Sequence, residues 1–114
     1  MLEFENRPWG RFDVLLDDPI CKVKKITVKP GARLSYQRHQ KRTEHWTIVQ
    51  GVALVTLNDI DLVFDEGDTV FIEQGTKHRV ANEGEIDLIF IETQTGTYFG
   101  EDDIERFSDD YGRV

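Results

Sequence analysis

The sequence predicts an all-β fold of the barrel or sandwich type. Turn-forming residues recur at short, even intervals, and the segments between them are rich in β-branched and aromatic residues. Many short strands separated by regular turns are typical of β-barrels and β-sandwiches. The predicted strands cover residues 23–28, 47–49, 52–57, 60–64, 69–72 and 86–91.

Two local patterns refine this prediction. Asn58-Asp59 separates two predicted strands and indicates a tight hairpin. Near the end of the chain, residues 102–107 predict a short C-terminal helix, with acidic residues in its first turn and Asp102 as its cap. The sequence contains no internal repeat, low-complexity tract or linker, so a single domain over residues 1–114 is predicted.

Composition and charge exclude several classes of partner. Hydrophobic residues make up 39% of the 114 residues, which is enough for one core and too much for a disordered chain. Lys and Arg total 14 against 22 Asp and Glu, and the net charge of −8 argues against nucleic acid and against anionic membranes. A small anionic ligand remains compatible, because a few inward-pointing cations can reverse the local potential.

The cysteine count and the start of the chain point to a cytoplasmic protein. Cys21 is the only cysteine, so no intramolecular disulfide and no Cys-rich zinc site is possible. The first residues lack a positive region followed by an apolar run, so neither a signal peptide nor a membrane span is expected.

Four side chains have the spacing of a metal site: Gln37, His39, Glu44 and His78. Gln37 and His39 leave the same face of a strand, and an antiparallel neighbour would bring Glu44 alongside. Two imidazoles, a carboxylate and an amide oxygen suit Zn²⁺, Mn²⁺, Fe²⁺, Co²⁺ or Ni²⁺. Each residue taken alone would be an ordinary surface or hydrogen-bonded side chain. His45 should point to the opposite face and is interpreted as structural.

Two motifs around these residues resemble those of the cupin superfamily. Gln37 stands where the first histidine of the first cupin motif usually lies, and Glu73 replaces a proline of the second. The resemblance implies a cupin double-stranded β-helix, also called a jelly-roll barrel. The other motif positions in register are Gly31, His39, Glu44, Gly51, Gly67, Gly75, His78 and Asn82.

Nearly the whole chain also resembles the type II phosphomannose isomerase domain, which forms the C-terminal part of bifunctional mannose-1-phosphate guanylyltransferase/mannose-6-phosphate isomerases and also occurs alone. The resemblance implies a metal-dependent mannose-6-phosphate isomerase, which interconverts mannose 6-phosphate and fructose 6-phosphate through an enediol. It implies one divalent ion, with zinc as the first choice, a sugar phosphate as substrate and, by superfamily analogy, a homodimer. The matching segments are residues 7–10, 22–31, 34–39, 42–46, 75–79, 96–104 and 109–113.

Lys24 is the candidate catalytic base. It shares strand parity with Ile26 and Val28, so it faces the cavity if those two residues face the core. Burial beside a cation would favour the neutral amine that a base requires. Alternatively, Lys22, Lys24 and Lys25 form a solvated strand edge.

The substrate-binding candidates are Arg79, Arg113 and Tyr98. The two arginines offer planar forks for phosphate, or pair instead with the nearby acids Asp109 and Asp110. Tyr98, like Tyr111, lines the mouth of the cavity or belongs to the core. Arg7 and Trp9 are interpreted as anchors of the N-terminal segment rather than substrate contacts.

Two further functions fit the same residues. One is a non-catalytic cupin that binds a metal and a sugar, because Arg38, Gln40 and Lys41 alter the expected rim of the pocket. The other is a metal-dependent oxygenase, which the resemblance implies because cupins often bind Fe²⁺.

Overall fold

The computed structural model describes residues 3–112, and within that range it contains eleven β-strands and no helix. No element in the described range has the length and apolarity of a membrane-crossing helix. The strands are β1 Phe4–Arg7, β2 Gly10–Asp17, β3 Cys21–Val28, β4 Tyr36–Arg38, β5 Arg42–Gln50, β6 Ala53–Leu57, β7 Ile60–Phe64, β8 Thr69–Ile72, β9 His78–Ala81, β10 Leu88–Gly96 and β11 Glu105–Ser108.

The strands form two antiparallel sheets that face each other. The six-stranded sheet has the order β1-β2-β3-β10-β5-β8, and the five-stranded sheet has the order β11-β4-β9-β6-β7. Inward-facing residues alternate with outward-facing ones along the central strands, so one apolar core fills the space between the sheets. This arrangement confirms the all-β prediction.

The strand predictions hold best where apolar and β-branched residues dominate. The segments 60–64 and 69–72 match β7 and β8, whereas β5 extends to Arg42–Gln50 and β10 is shifted to Leu88–Gly96. The pattern does not predict β1, β2, β4, β9 or β11. Four of these contain only three or four residues and are largely polar or charged, so pairing across the sheet, rather than local propensity, makes them strands.

The hairpin at Asn58-Asp59 is confirmed. Both residues have positive φ angles, 47° and 70°, as a two-residue turn between twisted strands requires. The turn is also bonded to neighbouring segments. The Asp59 carboxylate accepts a 2.7 Å hydrogen bond from the Tyr36 hydroxyl of β4, and the Asn58 side-chain oxygen accepts one from the Lys77 amide, directly before β9.

The predicted C-terminal helix is wrong. Residues 105–108 form β11, which pairs with β4 at the edge of the five-stranded sheet. The acidic residues that suggested a helix start bond to other groups instead. Asp102 accepts a hydrogen bond from the Tyr98 hydroxyl, and the Asp103 carboxylate accepts the backbone N–H groups of Gln40 and Lys41 at 3.3 and 2.9 Å. Tertiary partners therefore outweigh the local helix signal.

Gly96 allows the end of β10 to approach β5 closely. Its φ is +142°, and a Cβ atom there would lie 2.3 Å from the Lys41 carbonyl oxygen. We expect Gly96→Ala to lower the free energy of unfolding by about 2–3 kcal/mol, because the backbone contact has no flexible side chain to absorb the overlap. Gly31→Ala, where a Cβ atom meets nothing within 4 Å at a φ of +81°, is the matched control. Urea unfolding of both variants gives the comparison, and equal losses would contradict the steric explanation.

Candidate metal centre

The fold brings three of the four predicted ligands to one point inside the barrel. His39 follows directly after β4, Glu44 lies on β5, and His78 begins β9. One ligand atom from each lies within 4.8 Å of the others, and each residue is only 2–3% exposed. Gln37 of β4 is the cross-strand partner of His78.

The hydrogen bonding of the two histidines fits a cation. Buried polar atoms normally have a partner, but Nδ1 and Nε2 of His39 and Nε2 of His78 have none among the described residues. Nδ1 of His78 lies 3.0 Å from the Thr76 carbonyl oxygen. This hydrogen bond fixes the ring and leaves the lone pair of Nε2 available to a metal ion. Burial, helped by the nearby Arg42 charge, lowers the pKa of His39 to about 3, so this imidazole is held in the neutral form that binds metals.

Glu44 is held by its neighbours on β5. Nε and NH2 of Arg42 each lie 3.0 Å from Oε2 of Glu44, and Nε1 of Trp46 donates to Oε1 at 3.0 Å. All three side chains are at least 96% buried and point inward because they alternate along one strand. Oε1, whose donor is Trp46, retains a second lone pair that can face a cation. The strand therefore presents a positioned carboxylate, and the same alternation is a sequence signal for Arg42, which the sequence analysis missed.

Gln37 is less buried than the other three residues. Its Oε1 atom accepts a 3.0 Å hydrogen bond from the Ser35 hydroxyl, which orients the amide. Its register opposite His78 makes it a candidate fourth ligand. His45, by contrast, lies on the outer face of β5, with its ring 4.5 Å from that of Phe71.

A cavity of about 100 Å³ reaches this cluster through Gln37, which lines its wall, and through Arg42, which contacts Glu44. Within residues 3–112 its wall carries four cationic side chains and only two acidic ones, although the whole chain has a net charge of −8. Arg7 and Trp9 belong to this wall, so they lie nearer to the cavity than the sequence analysis expected. The charged wall residues are Arg7, Lys24, Arg42, Arg106, Glu92 and Glu101.

Lys24 points into this cavity, as its strand parity predicts, and it is 5% exposed. Its Nζ atom lies 2.9 Å from Oε1 of Glu101 and 4.4 Å from the centre of the Phe12 ring. Partial burial by itself would raise the pKa of Glu101, but Lys24 and Arg42 outweigh burial and hold that pKa at about 2. Glu101 is therefore a carboxylate, and Lys24 is the donor in the pair. The role of Lys24 as a base stays a prediction.

Glu92 and Gln94 are two site residues that the sequence analysis missed. Both lie on the inner face of β10, and Nε2 of Gln94 donates to Oε2 of Glu92 at 2.9 Å. Burial and the neighbouring Glu44 carboxylate raise the pKa of Glu92 to about 8. Their signal is the alternation that begins at Leu88 and Phe90, but the predicted strand ends at residue 91, before it reaches them.

The predicted substrate-binding residues lie in different places. Arg79 donates from Nε to the Leu34 carbonyl oxygen at 2.8 Å and from NH2 to the carbonyl and hydroxyl oxygens of Ser108. Much of its guanidinium group is therefore already hydrogen-bonded. Tyr98 is 41% exposed. Tyr111 packs against the core, and Arg113 lies outside the described residues.

Comparison with known families decides the classification. The family model described as "Mannose-6-phosphate isomerase C-terminal" matches residues 3–109, nearly the whole chain. The chain belongs to this family. Two curated members of similar sequence have names from polysaccharide and nucleotide-sugar synthesis. Over 108 residues, the alginate biosynthesis protein AlgA of Pseudomonas aeruginosa is 50% identical, and over 107 residues a mannose-1-phosphate guanylyltransferase of Salmonella montevideo is 48% identical.

The matched region is a fraction of those relatives. The alignments cover 95% and 94% of this chain but only 22% and 23% of the two relatives, so the chain spans less than a quarter of their length. Among solved structures, a double-stranded β-helix domain protein from Klebsiella pneumoniae superposes with a TM-score of 0.75 at 22% identity, covering 84% of this chain and 77% of that one. The mannose-6-phosphate isomerase C-terminal domain described here therefore has the cupin fold.

Proposed function

We propose that the chain is a metal-dependent mannose-6-phosphate isomerase that interconverts mannose 6-phosphate and fructose 6-phosphate through an enediol. The observation that carries this proposal is the buried cluster of His39, Glu44 and His78, in which imidazole nitrogens of both histidines lack hydrogen-bond partners among the described residues. A nearby cavity lined by four cationic side chains supports it. The family membership supports the choice of reaction. A sugar phosphate is the proposed substrate, and the homodimer stays a prediction.

The proposed ion is zinc, held by His39, Glu44, His78 and Gln37. The chemistry that a divalent ion supplies when bound there is polarisation of the carbonyl and hydroxyl oxygens of the substrate, worth several kcal/mol in the enediolate-like transition state. The donor set fits zinc, since neutral imidazole and carboxylate are common zinc ligands. Manganese, iron, cobalt and nickel suit the same donors.

The reaction also needs a group that moves a proton between C1 and C2 of the sugar. Lys24 and Glu92 both line the cavity. The ion pair between Lys24 and Glu101 favours a donor role for Lys24, because an ammonium group bound to a carboxylate is not free to accept a proton. Glu92, whose Oε2 atom accepts a hydrogen bond from Gln94, is better placed than Lys24 to carry this proton.

The phosphate of the substrate requires cations that are not fully used by the fold. Lys24 and Arg42 face the cavity and are buried. Lys24 pairs with the half-exposed Glu101, and NH1 of Arg42 has no hydrogen-bond partner among the described residues, although its Nε and NH2 groups bind Glu44. Arg79 has its Nε and NH2 groups bonded to Leu34 and Ser108, so it would have to give up bonds to bind phosphate through them. Arg113 and Tyr98 remain candidates from the family resemblance.

A coupled isomerase assay on chelated and reloaded protein tests the proposal. We expect chelation to abolish turnover of mannose 6-phosphate, and zinc to restore it, because both buried histidines have a ring nitrogen without a hydrogen-bond partner among the described residues. Parallel reloading with manganese, iron, cobalt and nickel ranks the metals. Full activity after complete chelation would refute the metal mechanism. Metal uptake with a melting shift from sugar phosphate but no turnover would select the non-catalytic cupin instead.

A further inference from the structure

Two buried cations in the cavity share one carboxylate oxygen. Oε1 of Glu101 lies 2.9 Å from Nζ of Lys24 and 3.9 Å from NH1 of Arg42. The side chains of the two cations are 7% and 4% exposed, whereas that of Glu101 is 49% exposed. The anion of this cluster is therefore the one member that reaches solvent.

Glu101 lies in the turn between β10 and β11, and this turn is attached on both sides of it. The Thr97 amide donates to the Lys41 carbonyl oxygen at 3.0 Å, and the Asp103 carboxylate accepts the Gln40 and Lys41 amides. These bonds hold the ends of the segment against the rim of the barrel. The Glu101 side chain extends from that rim to the cations.

The exposed anion and the buried cations of this cluster differ in how much they depend on their partners. The Glu101 carboxylate is about half exposed and screened by solvent, so its pairing with Lys24 is easier to break than that of a fully buried ion pair. A buried cation without any anion beside it is strongly destabilising. Lys24 therefore needs a negative charge beside it, but nothing in the geometry requires that Glu101 supply it. Arg42 already pairs with Glu44, and its NH1 group, which has no hydrogen-bond partner in the described part of the chain, is left to face an anion in the cavity. A phosphate dianion carries more charge and offers three acceptor oxygens.

We propose that Glu101 is a displaceable internal anion, which occupies the anion subsite formed by Lys24 and Arg42 until a phosphate group replaces it. The site takes phosphate or a phosphomonoester. Naming that ligand as the phosphate of the isomerase substrate rests on the function proposed above, whereas the anion subsite itself does not. The carboxylate then swings toward solvent, on the side where it is already exposed.

Calorimetric titration of the chelated 114-residue chain with inorganic phosphate tests this subsite, because chelation removes any metal to which phosphate could bind directly. We expect Glu101→Gln to bind phosphate about tenfold more tightly than the parent protein, if the internal anion closes the subsite in about nine molecules of ten. Glu105→Gln is the matched control, because it removes the same charge from an exposed residue that pairs with Arg38. Its affinity should stay within about twofold of the parent. Lys24→Met should lose phosphate binding.

Amide chemical shifts of the parent protein give a second measurement that needs no variant. Saturating phosphate should shift the amide signals of residues 100–103. Any of three outcomes would overturn the proposal: equal phosphate affinity of the Glu101→Gln and Glu105→Gln variants, unchanged signals in that turn at saturation, or no phosphate binding by any form.

The subsite and the proposed function can fail separately. Tighter phosphate binding by Glu101→Gln without isomerase turnover would preserve the subsite and remove the proposed function. Isomerase turnover, with equal phosphate affinity in Glu101→Gln and the parent protein, would refute the subsite and preserve the proposed function.

Discussion

The His78→Ala variant is expected to lose its divalent ion and to turn over mannose 6-phosphate about a thousandfold more slowly than the parent protein, which corresponds to about 4 kcal/mol of transition-state stabilisation. Nε2 of His78 is buried, has no hydrogen-bond partner among the described residues, and offers its lone pair to a metal, because the ring proton lies on Nδ1, which is bonded to the Thr76 carbonyl oxygen. Alanine removes that donor and leaves only His39 and Glu44 of the close cluster. The measurements are metal content by mass spectrometry and the coupled isomerase rate.

His45→Ala is the matched control for this substitution. It removes the same side chain from an exposed position on the outer face of β5, where the imidazole packs on Phe71. We expect unchanged metal content and a rate within about twofold of the parent, since exposed substitutions have small effects. Full metal loading in His78→Ala, or loss of the metal in His45→Ala, would show that the metal site lies elsewhere.

The Arg42→Met variant should lower the free energy of unfolding of the chelated protein by about 3–5 kcal/mol, because it leaves the Glu44 carboxylate buried without its cationic partner. Arg42 makes two 3.0 Å contacts to Oε2 of Glu44, and both side chains are at least 96% buried. A bound divalent ion would supply the missing positive charge. The loss should therefore be smaller in the metal-loaded protein.

Arg33→Met provides the comparison for Arg42→Met. Arg33 also makes two bonds to one carboxylate, that of Asp110, but both side chains of this pair are about half exposed. Its loss should cost about 0–1 kcal/mol. Denaturant unfolding of both variants, with and without zinc, measures the difference. An equal loss in the presence and absence of metal would argue against an ion beside Glu44.

The candidate ligand set was accessible from the sequence because Gln37, His39 and Glu44 lie at short spacings in one strongly patterned segment and His78 lies in a second. Strand parity also places Lys24 inward, and the structure confirms that orientation. The family match was accessible for the same reason, since residues 7–10 and 34–46 form continuous motifs.

The remaining site residues depend on contacts between distant segments. Glu101 reaches Lys24 across 77 positions of sequence, and no local pattern indicates that pair. The failed helix has the same cause, because Asp103 bonds to amides 62 and 63 positions away. Glu92 was missed for a simpler reason. The predicted strand stops at residue 91, and polar residues in a strand interior do not read as buried from composition alone.

The hairpin at Asn58-Asp59 has a consequence for engineering the chain. Tips of exposed hairpins normally tolerate insertions, circular permutation and fused tags. This tip is bonded through Asp59 to Tyr36, next to Gln37, and through Asn58 to Lys77, next to His78. A new terminus opened between those two turn residues would therefore release both ligand segments at once, so biosensor or display designs based on this barrel should use another loop.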